Sequence, residues 1–330
     1  MDVERRAFIG ATIAAATAGS ANAQWGDPMT PAAGDPKAPI WPARERFALW
    51  PGSAPGAPPQ PIALIVNMNG PANNRELWVR GVQMPEVHVY RPARPDGSAL
   101  LVLPGGGYHF LSVQNEGLNA AQRFNADGTT VFVLSYRLPD EGWSKRWLAP
   151  LADAQRAMRL IRSRAAELGI DPARLGVMGF SAGGHLAADL TVAHAESAYA
   201  PIDAADRQLA RPAYSALIYP VATLDRSITH KGSFDNLLGP SPSELLVAAR
   251  SPERHLNSST PPSFIVHSFD DGTVPIENSL RWIAAARAAK AQVEAHLFAE
   301  GGHGFGLRLP ADLPGSRWPD LFSSWMRKQR

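Results

Sequence analysis

Residues 177–190 read VMGFSAGGHLAADL. The opening residues form a short apolar run, the pattern of a strand buried on both faces. The residues after the serine read as a helix. Ser181 stands at the junction, inside the pattern G-x-S-x-G. Glycines at 179 and 183 suit a sharp strand-to-helix turn, because neighbouring backbones there leave no room for a side chain. Such a turn lifts the Ser181 hydroxyl out at a sheet edge. It also sets the Ala182 N–H at a helix N-terminus, where negative charge is favoured. The plain alternative is a flexible glycine-rich loop. The strand before and the helix after favour an exposed nucleophile.

Outward from this turn, similar apolar runs recur. EVHVYRP (86–92) alternates like a half-buried strand. SALLVLP (98–104), TTVFVLSYRLP (129–139), AYSALIYP (213–220) and PSFIVHSF (262–269) are near-continuous apolar runs, as is ARLGVMGF (173–180). Helical spacing lies between them. Over 150–168, Leu151, Ala154, Met158, Ile161, Ala165 and Leu168 step by three and four, and Gly169 is a natural stop. Further helices are predicted from Ala182 to His194, over 277–291, and in WPDLFSSWMRK (318–328). Strands alternating with helices imply right-handed crossovers. The fold class is therefore α/β: a mostly parallel, doubly wound sheet with helices on both faces. Residues 62–330 form the expected domain. The Pro/Gly-rich segment 24–61 is predicted as an arm over its surface or partly disordered, and 221–261 as a small cap or insert.

Composition excludes several classes of function. The chain has 330 residues, 45% hydrophobic and 19% charged, as in a globular protein with a sizeable core. A formal net charge of +2 with no Lys/Arg run argues against nucleic acid and against an anionic membrane surface. No cysteine is present, which removes disulfides, thiolate nucleophiles and Cys-based metal sites. The start, MDVERRAFIGATIAAATAGSANAQW, reads as an export signal over 1–23. Arg5-Arg6 precedes a mild Ala-rich apolar run that ends at Ala21-Asn22-Ala23, an A-x-A-like cleavage site. Paired arginines point to the twin-arginine route. The alternative is an amphipathic N-terminal helix. The run is too short for a membrane anchor, so the expected mature protein is periplasmic or secreted.

A nucleophilic serine needs an oxyanion hole, a base and an orienting acid. LPGGGYHF (103–110) ends an apolar strand in three glycines with unhindered N–H groups, at the place of the HGGG-type oxyanion loop but with Pro104 first. By position, Gly105 and Gly106 with Ala182 are the expected donors. HSFDDGTVP (267–275) follows the strand PSFIV and offers two adjacent carboxylates, Asp270 and Asp271. Adjacent side chains point in different directions, so one of the two reaches the base. GGHGFG (301–306) sets His303 among glycines after the strand AHLFAE, a place that core packing explains poorly and a general base explains well. His185, His88, His296 and His109 have structural readings. No H-E-x-x-H or equivalent spacing occurs, so no metal is expected. The order serine, acid, histidine is that of α/β-hydrolases.

These motifs, with GIDPARLGVMGFSAGGHLAA, YPV, SPE, PPSFIVHSFDDGTVPIENSL and GGHGFGL, resemble bacterial α/β-hydrolases of the acetyl xylan esterase and carbohydrate esterase kind over roughly residues 45–330. The D-x-x-V-P spacing of that family selects Asp271, with Asp270 left to loop hydrogen bonds. The resemblance implies a Ser181–His303–Asp271 serine esterase without cofactor. It also implies a substrate of O-acetylated plant polysaccharide or oligosaccharide. Tyr108 and Trp143 are then candidates to line the acyl pocket and to stack on a sugar ring, with Trp147 beside them. Ordinary packing is the alternative for all three. A feruloyl or general carboxylesterase would share every catalytic residue. A serine peptidase of this fold usually carries a large extra domain, for which this chain has no room. A non-catalytic binding protein would be expected to lack the serine, acid or histidine.

Overall fold

The computed structural model describes residues 39–69 and 76–329. The predicted signal at 1–23 and the first part of the arm lie outside the described residues. Eleven strands lie within them: β1 (Glu45–Ala48), β2 (Ile65–Asn69), β3 (Glu76–Arg80), β4 (Glu86–Tyr90), β5 (Ala99–Leu103), β6 (Leu111–Ser112), β7 (Thr130–Ser135), β8 (Leu175–Phe180), β9 (Ser215–Ile218), β10 (Ser263–Ser268) and β11 (Val293–Phe298). The α-helices are α1 (Asn119–Asn125), α2 (Ala149–Ser163), α3 (Ala165–Leu168), α4 (Ser181–Ala193), α5 (Lys231–Leu238), α6 (Glu244–Ala249), α7 (Glu277–Ala289) and α8 (Trp318–Met326).

Eight strands make one sheet in the order β1-β4-β7-β5-β8-β9-β10-β11. The six strands from β7 to β11 run parallel, while β4 and β1 are antiparallel at one edge. Every residue of β5, β7, β8, β9 and β10 is buried. Successive side chains point to opposite faces, so both faces are covered. The fold is that of an α/β-hydrolase, with β8 well inside the sheet. Helix α4 packs on β8 and β9, and α2 packs on α4.

Three departures from the sequence reading matter. The sheet begins before residue 62: β1 pairs Glu45 to Ala48 with Val89 to Glu86, and Trp41 and Trp50 are buried. A short strand in a proline-rich neighbourhood has little period to read. The helix expected over 150–168 is broken at Arg164 into α2 and α3, because the apolar spacing continues across one non-helical residue. A second, three-stranded antiparallel sheet, β2-β3-β6, was not foreseen. Its strands are short, and β6 has only two residues.

Candidate active site

The turn after β8 places Ser181 at φ 52°, a left-handed conformation that costs a serine of order 1–3 kcal/mol. Backbone crowding explains both glycines. A Cβ on Gly179 would stand 2.0 Å from the Gly183 carbonyl oxygen, and one on Gly183 would stand 2.1 Å from that of Leu103. The strained turn is held from outside by Val221, whose N–H donates to the Ser181 carbonyl at 3.1 Å.

Two loops from neighbouring strand ends meet the Ser181 hydroxyl. The loop after β11 carries His303, whose Nε2 lies 2.9 Å from Ser181 Oγ. The loop after β10 carries Asp271, whose Oδ2 lies 2.7 Å from His303 Nδ1. A carboxylate only accepts, so Nδ1–H donates to it and Nε2 is left to accept from the serine. His267 Nε2 also donates to Asp271 Oδ2, at 3.0 Å, and the N–H groups of Thr273 and Val274 donate to Oδ1, each at 2.8 Å. Burial opposes the Asp271 charge. The bonds from His267 and His303, the nearby His303 charge and the Val274 N–H outweigh it and hold the carboxyl well below the usual range. Asp270 points elsewhere and accepts from Gly301 at 3.2 Å and Gly302 at 2.8 Å, which ties down the histidine loop.

Gly105 departs from the expectation. Its N–H donates to Glu116 Oε2 at 2.6 Å, so it is not free to meet a substrate. This glycine serves close approach instead: its Cβ would stand 2.9 Å from that of Ser181. The N–H groups of Gly106 and Gly107 meet no protein acceptor among the described residues. Both glycines line the same cleft as Ser181, and Ala182 follows that serine in the first turn of α4, where N–H groups have no partner within the helix.

A family model described as BD-FAE matches residues 87–284, from β4 into α7. The chain belongs to the BD-FAE family. It is similar to an acetylxylan esterase of Xylanibacter ruminicola, 34% identical over 221 residues, which cover 66% of this chain and 43% of that protein. It is also similar to the endo-1,4-β-xylanase B of Butyrivibrio fibrisolvens, 37% identical over 232 residues, 68% of this chain and 34% of the other. The chain thus spans less than half the length of these curated relatives. Among solved structures, an acetyl ester-xyloside bifunctional hydrolase from Caldicellulosiruptor lactoaceticus superposes with a TM-score of 0.71 at 32% identity, over 89% of this chain and 98% of that one. The BD-FAE match includes Ser181 and Asp271 and stops before His303.

In this BD-FAE protein, Ser181 and His303 open into a cleft of about 1120 Å³. One wall comes from the unforeseen second sheet. Trp78 of β3 stacks on Phe110, with ring centroids 4.0 Å apart. Glu76, on the same strand, pairs with Arg308 at 3.0 Å. The two aromatic residues chosen from sequence lie elsewhere. Tyr108 is 1% exposed and points away beneath the site, with its hydroxyl 2.8 Å from His185 Nδ1. Trp143 is buried under Arg137, whose guanidinium lies 4.9 Å from the ring centre, in a separate small cavity. Trp147 packs half-buried against the core. A loop aromatic beside a motif is equally able to turn inward, and nothing in its spacing tells which it does.

Glu116 was missed altogether. It is buried beside Gly105, and Tyr219 Oη donates to its Oε1 at 2.8 Å. Tyr219 in turn accepts from the Gly306 N–H at 2.9 Å, which links the glycine loop to the histidine loop. Burial pushes the Glu116 carboxyl up to about 8, against the pull of the Tyr219 and Gly105 donors. A lone glutamate in QNEGL carries no sequence signal for such a place.

Proposed function

We propose that this protein is a serine carboxylic ester hydrolase that removes O-acetyl groups from xylan-type polysaccharides or oligosaccharides. The observation that carries the reading is the hydrogen-bonded chain Asp271–His303–Ser181 at the mouth of an open cleft. His303 Nε2 takes the hydroxyl proton as Ser181 Oγ attacks the ester carbonyl. Asp271 holds the imidazole tautomer and offsets the charge of the imidazolium. The N–H groups of Gly106 and Ala182, with Gly107 beside them, face the oxygen of the tetrahedral intermediate. The C–O bond to the sugar breaks, and its oxygen takes the proton from His303. Water then attacks the acyl carbon as it gives a proton to His303, which passes that proton to Ser181 Oγ as the bond to the acyl group breaks and acetate leaves. The names of the acetylxylan esterase and the acetyl ester-xyloside hydrolase support acetylated xylan as the substrate class. An extracellular polymer agrees with the twin-arginine segment read at 1–23.

The test compares the protein with its Ser181→Ala variant, following acetate release from acetylated xylo-oligosaccharides. The expected loss is roughly 10⁴- to 10⁶-fold in kcat. Activity retained in the variant would overturn the mechanism. The Trp78–Phe110 stack and the size of the cleft favour a second reading, an esterase for larger aromatic acyl groups such as feruloyl. Faster serine-dependent cleavage of a feruloyl ester than of the acetylated sugar would select it.

A further inference from the structure

His230 lines the same cleft, on the segment just before α5. Its Nδ1 caps that helix: the Ser233 N–H lies 3.3 Å away and Ser233 Oγ 2.9 Å away. A backbone N–H only donates, so Nδ1 must keep its lone pair. In the neutral ring the proton is then on Nε2. Burial pushes the imidazole pKa down, the neighbouring His303 charge pushes it further, and Asp271 pulls the other way. The neutral form is thus the one that faces the cleft at neutral pH. Nε2–H meets no protein acceptor among the described residues. The ring is also fixed against the glycine loop. A Cβ on Gly107 would stand 3.5 Å from His230 Cε1, and Asn236 of α5 donates to the Gly107 carbonyl at 2.9 Å.

Location tells what such a donor meets. The leaving oxygen must take its proton from His303 Nε2, so the leaving alcohol lies beside His303. The acyl oxygen lies instead against Gly106 and Ala182. His230 and His303 line one cleft together with Ser181, Gly106 and Gly107. Resting on the esterase reading above, we propose that His230 determines leaving-group specificity, its Nε2–H donating to a hydroxyl or ring oxygen of the sugar next to the ester. A fixed neutral donor recognises a polyol and offers nothing to a leaving group without such an acceptor.

Two variants separate this role from helix capping. His230→Ser keeps a good N-cap and removes the donor. His230→Gln places an amide N–H near the position of Nε2 and gives up the cap. The readout is the ratio of kcat/KM for methyl 2-O-acetyl-xyloside to that for p-nitrophenyl acetate. We expect the ratio to fall roughly tenfold in His230→Ser, the size of one lost hydrogen bond, and to recover in His230→Gln. An unchanged ratio in His230→Ser overturns the inference, whether or not both rates fall together. Should the unmodified protein cleave p-nitrophenyl acetate through Ser181 yet leave the acetylated xyloside intact, the sugar reading fails and takes this inference with it.

Discussion

At the scale of single residues, Glu116 shows how burial and function meet. Its folded pKa of about 8 stands above the ordinary 4.5. A carboxyl raised in this way contributes stability that is fully present below pH 4.5. That stability is lost as pH rises through about 8. The melting temperature of the protein should therefore fall over this window, and Glu116→Gln should flatten the fall. Parallel curves for the two proteins in a pH series of thermal melts would refute the assignment. A carboxyl kept largely neutral near pH 7 also spares a developing oxyanion from a like charge close to Gly105. Ser181 and His303 were legible because each stands in a local pattern of glycines, whereas the residues alone left Asp270 and Asp271 open and only the D-x-x-V-P spacing of the resembled family chose between them. Glu116 and His230 were not legible. Glu116 meets Tyr219 across 103 positions, and His230, though it caps its own helix through Ser233, stands in the cleft beside Gly107, so no short motif encodes either placement.

At the scale of elements, the parallel strands were readable because continuous apolar runs leave little choice but burial on both faces. The second sheet was not, since five residues with two inward positions give no reliable period, and that sheet supplies an aromatic wall of the cleft. Helix ends follow local rules more closely. Gly169 takes the left-handed position after α3 at φ 67°, whereas Lys290 takes the same role after α7 at φ 59°. Lys290 is exposed and carries a Cβ that this conformation disfavours. Lys290→Gly should stabilise the protein by about 1 kcal/mol without touching the cleft. Urea unfolding checks this. A destabilised variant would mean that the lysine side chain does more than end a helix.

At the scale of the whole molecule, the described part of the arm, residues 39–61, is fastened to the sheet through a buried pair. Asp153 of α2 meets Arg137 Nη2 at 2.8 Å, both side chains almost wholly buried. Trp50 donates to the same carboxylate at 2.9 Å, and Arg137 reaches the Pro55 carbonyl at 2.7 Å. The proline-rich composition of this segment hid its anchoring, because Trp50 finds its partner across 103 positions. Removing one member leaves a charge buried alone. Asp153→Ala should cost roughly 3–5 kcal/mol. A loss below about 1 kcal/mol in chemical denaturation would show that the segment is not tied in this way.

One packing feature bears on how the chain is made. The aromatic face of α8 closes over residues from strands well before it. Trp318 meets Phe180, Phe322 meets Tyr214 and Phe264, and Trp325 meets Tyr214 and Phe264, with ring centroids 5.4 to 6.3 Å apart. Synthesis is vectorial, and α8 follows every strand it covers. On the ribosome, the nascent sheet must wait with that oily side uncovered until residues 318–326 emerge from the exit tunnel. Its time of greatest need for a chaperone is thus set by the order of translation.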